Sequence, residues 1–443
     1  MLKRVSSIFV LIVFDVLAIL LALGVSYLER IWLGSYNFIR VYDGSWSQFI
    51  SLGLVYIVIV SLHLFGLYFK RFDFWEELKR SIKALFVAFT FFLFYLVALK
   101  SAHEYSRAMI ILIFINLLWL IPLFRIFAKR LLWELNLWQK NIWIEGDDEQ
   151  VLRLKKTLEP NWFLGYRVVE DVRNARLVAI ATKGMPTKNL EEKIHQYKGD
   201  KKDVLLIPYL HKISLANTEL IELIIGRLSL INIQNQLFKS SNIMIKKVAE
   251  MLVVLIVFPF GALIVLFIAV WIKLDSKGSI FFKQKRLGKD GEPFSCYKFR
   301  TMREDSEGDL QRYLAENPSE IAYFQKYHKY HVDPRFTKAG KWLRKLSLDE
   351  LPQIFNVLRG DMNLIGPRPY MISETKVLGE RKDIILHVKP GITGLWQVSG
   401  RNNLSFHERA ELDSWYIQNW SLWLDFVIFL KTFQVLLSRK GAS

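Results

Sequence analysis

Four apolar stretches crowd the first third of the chain: Val5–Leu28, Phe49–Phe69, Ile82–Leu99 and Met109–Phe127. Each approaches the ~20 residues that a helix needs to cross the hydrocarbon core of a bilayer. The pattern therefore predicts a four-helix transmembrane bundle over residues 1–135. Lys3 and Arg4 precede the first stretch as they would in a signal peptide, but the run continues to Leu28 without a small-residue cleavage site and reads as a retained helix. Lys70, Arg71, Lys79 and Arg80 lie between the second and third stretches and Lys83 at the very start of the third, against Arg30 and Arg40, and Lys100 and Arg107, in the other two connections. The positive-inside rule then puts both ends of the bundle in the cytoplasm. Asp15, inside the first helix, is either a functional intramembrane carboxylate or a helix–helix contact; the contact is the simpler reading.

Beyond the bundle the period shortens. Asn141–Glu145, Tyr166–Glu170, Leu177–Ala181 and Val204–Ile207 are β-rich runs alternating with polar helical segments, Gln150–Leu158 and Asn189–Tyr197. Such alternation predicts a small Rossmann-like α/β domain with a partly parallel sheet over residues 136–240. A nucleotide-binding fold of this kind carries a Gly-rich turn after its first strand. Here the turn is Gly146-Asp147-Asp148-Glu149-Gln150, and three acids in a would-be phosphate cradle point to a scaffold.

Val248–Ile272 is long enough to span, yet Pro259 and Gly261 sit near its middle. A proline there removes a backbone hydrogen bond and bends the helix. Lys246 and Lys247 precede the stretch, and Lys273, Lys277, Lys283, Lys285 and Arg286 follow it, so both ends favour the same, cytoplasmic face. A re-entrant membrane helix over residues 241–275, kinked at Pro259, meets both conditions; a fifth spanning helix meets only the first. The C-terminal run Trp415–Leu437 is apolar but interrupted by Asp425, Lys431 and Gln434, and reads as an interfacial helix, a buried amphipathic one, or both.

Composition agrees with a chain living partly in lipid: 443 residues, 52% hydrophobic and 14% aromatic, with 60 Lys and Arg against 42 Asp and Glu, a net charge of +18. The cations flank apolar segments, as expected for anionic headgroups, and no nucleic-acid-binding signature is present. One cysteine, Cys296, excludes an internal disulfide and reads as a small buried hydrophobe.

Residues 276–443 form a basic, mainly helical cytoplasmic domain in which Ser347-Leu348-Asp349-Glu350-Leu351-Pro352-Gln353 opens a helically spaced segment. Ser347-x-x-Glu350 reads as a capping box with Ser347 as N-cap. The same geometry would keep Asp349 ionised and draw a phosphate to the helix N-terminus, so capping and catalysis are compatible. Gly366-Pro367-Arg368-Pro369 holds a guanidinium in a rigid turn suited to bidentate phosphate recognition. Arg286, Lys298, Arg300 and Arg344 supply further cations for a pyrophosphate.

These blocks, KFRTM at Lys298–Met302, LRKLSLDELPQIFNVLRGDMNLIGPRP at Leu343–Pro369 and KPGITGLWQVSGR at Lys389–Arg401, resemble the bacterial sugar transferase family, the polyprenyl-phosphate sugar-1-phosphate transferases. The resemblance runs from about Lys246 to the end of the chain. It implies an inner-membrane enzyme that passes a sugar-1-phosphate from a UDP-sugar to undecaprenyl phosphate, with Asp349 and Glu350 catalytic. Glu350 would also be a ligand of Mg²⁺. Arg286, Lys298, Arg300, Arg344, Arg368 and Arg401 would bind substrate, the catalytic domain would be cytoplasmic, and the chain would form a homodimer. The block from Asp413 to Trp423, the terminal Arg439-Lys-Gly-Ala and the insertion around Glu316–Arg335 resemble most the members that carry galactose; close relatives carry glucose. Release of UDP in place of UMP would indicate transfer of the sugar alone, and full activity without the Asp349 carboxylate would indicate a non-catalytic membrane platform.

Overall fold

The computed structural model describes residues 2–35, 52–98, 106–208, 218–223, 228–233, 236–304, 306–321, 333–400 and 404–438. The chain divides into two compact units, Met1–His211 and Lys212–Ser443.

The first unit opens with α1 (Leu2–Ser35), α2 (Leu52–Leu64), α3 (Phe74–Ala98) and α4 (Arg107–Glu134). Three of these, α1, α3 and α4, are long and apolar enough to cross a membrane. Four helices form where four were expected; among the described residues α2 has 13, about 20 Å of helix, and Phe65–Phe69 leave it as turns with Gly66 at φ 78°. Leu11, Ile19, Leu62, Leu85, Leu117 and Leu120 are among the side chains that fill the bundle core. At one level of it, α1, α3 and α4 bring four buried charges together. Arg125 bonds Asp15 through Nε at 3.0 Å and Nη2 at 2.6 Å, and reaches Glu77 at 3.3 Å. Lys129 pairs with Glu77, and Tyr68 donates to Asp15 at 2.7 Å. Two acids and two bases leave no net charge, so Asp15 is a helix–helix contact. An isolated charge there would carry a cost of several kcal/mol.

The α/β domain follows with β1 (Lys140–Glu145), α5 (Asp148–Leu158), β2 (Tyr166–Val168), β3 (Leu177–Ala181), α6 (Thr187–Gly199) and β4 (Asp203–Ile207). The sheet has order β2-β1-β3-β4, and all its pairings are parallel. Expected as partly parallel, the sheet is wholly so because every described connection is a crossover. Gly146 follows β1 at φ 145°, where a Cβ would stand 2.6 Å from the Ala181 carbonyl oxygen. In place of a phosphate, Lys183 meets Asp147 and Glu149 of the acidic turn.

The second unit begins with the antiparallel pair β5 (Thr218–Leu223) and β6 (Leu228–Ile233), then α7 (Ser240–Asp275), a 36-residue helix. It bends by 54° between Ser240–Pro259 and Gly261–Asp275. Both arms pack on the same module. Val254 and Phe258 of the first arm meet Cys296, Val357 and Met362; Val265, Ile268 and Ile272 of the second meet Phe299, Leu343, Leu348 and Leu351. The opposite side of α7 is bare hydrocarbon, with Leu255 70% and Phe267 71% exposed.

Downstream, β7 (Phe281–Leu287) and β8 (Pro293–Phe299) form a hairpin. Then come α8 (Glu307–Glu316), α9 (Lys338–Lys345), a 3₁₀ turn at Leu348–Gln353 and α10 (Ile354–Arg359). Two three-residue parallel strands, β9 (Asn363–Ile365) and β10 (Gly391–Thr393), join the later blocks. Glycines make that junction: a Cβ on Gly391 would lie 2.1 Å from the Gly366 nitrogen. The unit closes with α11 (Phe406–Gln418) and α12 (Leu422–Ser438). Tyr416, Ile417, Trp420 and Ile428 enter the core, while Trp415, Phe426 and Phe433 stay exposed, so the C-terminal run is both buried and apolar on its outer face.

Candidate active site

Strand period places the cations. In the β7–β8 register Arg286 faces Phe294, Gln284 faces Cys296 and Phe282 faces Lys298. Side chains two apart share a face, so Arg286, Cys296 and Lys298 belong to one side of the hairpin. Cys296 is fully buried beneath them, its thiol pushed up to about 11, first by burial.

The 3₁₀ turn presents the carboxylates to that face. Leu348 and Leu351 anchor it on the second arm of α7, and Pro352 and Gln353 are buried. Lys298 Nζ donates to Glu350 Oε1 at 2.7 Å. Burial alone would depress the Lys298 ammonium, but Glu350 and Asp349 outweigh it and the net shift is upward. Asp349 is pushed up to about 6, first by burial and then by Glu350, against the opposing pull of Lys298 and Arg344. The expected capping box is absent. Ser347 sits in the left-handed region at φ 55°, its hydroxyl caps nothing, and Glu350 turns to Lys298. A non-glycine residue held there is unusual and often marks a functional turn.

Arg286 and Arg368 approach from the other side. Arg286 donates to the Pro369 carbonyl at 3.2 Å and to Gln284 at 2.7 Å. Glu374 stands between the two guanidiniums, 3.2 Å from Arg368 and 3.9 Å from Arg286. Arg286 is shifted down by burial and by Arg368, and it feels Glu350, so this pair adjoins the carboxylates. The Nε atoms of both arginines are buried without a hydrogen-bond partner. Arg344, exposed at the end of α9 over the Phe336 ring at 4.7 Å, completes the set.

One of the expected residues falls elsewhere, and one lies outside the described residues. Arg300 is buried, and its guanidinium holds the carbonyls of Ser276 at 2.9 Å and Lys277 and the hydroxyl of Ser276 at 3.0 Å. It clamps the end of α7. Arg401 lies outside the described residues.

Other groups escape a motif-by-motif reading. Asp413 Oδ2 accepts from the Arg368 amide at 2.9 Å and from Tyr370 Oη at 2.8 Å; burial pushes its carboxyl up to about 7. Its signal is an acid on the apolar face of α11, in step with Ala410, Tyr416 and Ile417. Arg409 shares the Trp396 ring with Arg368, at 5.2 and 5.6 Å. Lys246 is buried between Asp425 at 2.6 Å and Glu250 at 2.7 Å, which ties the start of α7 to α12.

No three His, Cys, Asp or Glu side chains converge as a metal cage among the described residues. Mg²⁺ typically takes one or two carboxylates and completes its shell with water and substrate phosphates. Glu350 fits that donor set: its side chain is 31% exposed, and Oε1 is the oxygen engaged by Lys298.

The sequence pattern of the family described as bacterial sugar transferase matches residues 241–439. An undecaprenyl-phosphate galactose phosphotransferase of Salmonella typhimurium is 33% identical over 411 residues, 85% of this chain and 84% of the relative. An uncharacterized sugar transferase of Haemophilus influenzae is 32% identical over 403 residues, 85% of each. A UDP-glucose:undecaprenyl-phosphate glucose-1-phosphate transferase of Klebsiella pneumoniae is 36% identical over 209 residues, covering 45% of this chain and 42% of its own. On shared sequence that spans both units, the chain belongs to the bacterial sugar transferase family and is an enzyme of the phosphoglycosyl transferase kind.

Proposed function

We propose that the enzyme transfers galactose-1-phosphate from UDP-galactose to undecaprenyl phosphate at the cytoplasmic face of the inner membrane, as the first membrane step of a surface polysaccharide. The names of two relatives matched over most of their length, from Salmonella typhimurium and Erwinia amylovora, mention galactose and support that sugar; the Klebsiella relative favours glucose as the second reading. The observation that carries the chemistry is Asp349, a carboxylate raised to about 6 and set among Lys298, Arg344 and Glu350. At neutral pH it is ionised, and it is more basic than an ordinary aspartate.

An Asp349 oxygen attacks the phosphorus that bears the sugar, the bond to the bridging oxygen breaks, and UMP departs with that electron pair. An oxygen of undecaprenyl phosphate then attacks the aspartyl phospho-sugar, forming the diphosphate and returning the carboxylate. Two displacements replace one direct meeting of two bulky anions. Arg286 and Arg368, with their unpartnered Nε atoms, bind the diphosphate as planar forks. Glu350 would hold Mg²⁺, which when bound neutralises charge on the diphosphate. Asp413 holds the Arg368 turn from behind through the backbone amide. Two features support a re-entrant α7: both arms pack on the one catalytic module, and the bend lies at Pro259.

The test is to incubate the full chain with sugar-labelled UDP-galactose and no lipid acceptor. Label retained on the protein at Asp349 with one equivalent of UMP is the expected result. Release of UDP, or label that persists in Asp349→Asn, would defeat the covalent route.

A further inference from the structure

On the first arm of α7 a groove of about 350 Å³ is walled by Val248, Met251, Leu252, Leu255, Phe258 and Leu358. All are apolar. The ten-residue step from Val248 to Phe258 measures ~15 Å along the helix, the scale of one hydrocarbon tail.

The two ends of the groove differ. Phe258 is next to the bend, whereas Val248 follows Lys247 and Leu358 precedes Arg359. Lys389 arrives at this second end, its Nζ 3.6 Å from where a Cβ of Gly360 would stand. Burial, then Lys247 and Lys289, shift the Lys389 ammonium down, the mark of crowded positive charge. The nearby acids are engaged: Glu250 pairs with Lys246 and accepts the Ile365 amide, and Asp361 accepts from Asn356. Lys289 has Asp290 at 3.7 Å, and Arg359 donates to the Tyr297 hydroxyl. The side-chain ammonium groups of Lys247 and Lys389 have no hydrogen bond or ion pair among the described residues.

We infer that this groove holds one anionic phospholipid of the bilayer, its phosphate between Lys247 and Lys389 and an acyl chain against Val248, Leu252, Leu255 and Leu358. Charge and apolar surface are complementary to such a molecule end for end. The lipid acceptor fits less well, because its phosphate has to reach Asp349, whose turn is anchored on the other arm through Leu348 and Leu351. The inference rests on α7 lying in lipid and is independent of the phosphotransfer chemistry.

The experiment is native mass spectrometry of the full chain in neutral detergent, titrated with phosphatidylglycerol or with phosphatidylcholine of the same acyl chains. The unaltered protein should retain phosphatidylglycerol preferentially. The double variant Lys247→Gln/Lys389→Gln should lose at least about tenfold of that preference, Lys247→Arg/Lys389→Arg should keep it, and Leu252→Trp/Leu358→Trp should expel the lipid by filling the groove. Equal retention by the glutamine and arginine variants would overturn the site. One-for-one displacement of phosphatidylglycerol by undecaprenyl phosphate would overturn the occupant.

Discussion

Lys298 Nζ and Glu350 Oε1 stand 2.7 Å apart, so the cation on the hairpin face is bonded to the neighbour of Asp349 and acts on Asp349 through space. Asp349 consequently feels a carboxylate and an ammonium at once, and burial decides the net upward shift to about 6. UMP release in the absence of acceptor should fall as pH drops through about 6 and level off above it. Lys298→Met removes a group that favours the ionised form, and its acid limb should move to higher pH. An unmoved limb in stopped-flow or quench measurements would take Lys298 out of this role.

The same shift has a stability counterpart. Because the folded protein holds the Asp349 proton more tightly than the unfolded chain, stability falls as pH rises from the ordinary carboxylate range towards about 6, and stays at its lower value above. Asp349→Asn should therefore raise Tm by a few degrees at pH 7.5 and by nothing at pH 4, while reducing transfer at least about a thousandfold. Differential scanning fluorimetry at the two pH values checks the sign.

Arg300 and Arg368 make a matched pair. Arg300→Gln removes charge-assisted bonds to the end of α7 and should destabilise by about 2–4 kcal/mol, with KM for the nucleotide sugar unchanged in the folded fraction. Arg368→Gln should raise that KM by about ten- to a hundredfold with a smaller loss of stability. Thermal melts together with initial rates separate the two.

In the bundle, Arg125→Met leaves Asp15 and Glu77 facing each other with Lys129 alone. The expected loss is about 3–5 kcal/mol, part of which Asp15→Asn should restore in the double variant. Unfolding in mixed micelles measures both. Full stability in Arg125→Met would show that the ion network is dispensable.

Much of the fold is visible as periodicity. Leu177–Ala181, five apolar residues bounded by polar ones, is β3 to the residue, and the Pro259-Gly261 interruption is the bend in α7. Local patterns mislead where tertiary partners override them. Ser347 and Glu350 spell a capping box, but Lys298, some fifty residues earlier, takes the glutamate and the turn tightens to 3₁₀. Arg300 looks like one cation among several because its partners are backbone carbonyls, which no side-chain motif reveals. Asp425 seems to interrupt the apolar run, yet α12 continues through it, its charge met by Lys246 on a helix distant in sequence. The misses here are long-range polar pairings; the elements read correctly carry short-range signals, an apolar run or a helix breaker.

The two arms of α7 have a consequence for how this enzyme can be divided. Cys296, Phe299, Leu343 and Val357 lean on a helix whose other side is exposed hydrocarbon, so this apolar element is also the floor on which the Asp349 turn is laid. A truncation beginning at Ser276 would not release a soluble catalyst. It would strip the floor and leave the Asp349 turn hinged on nothing.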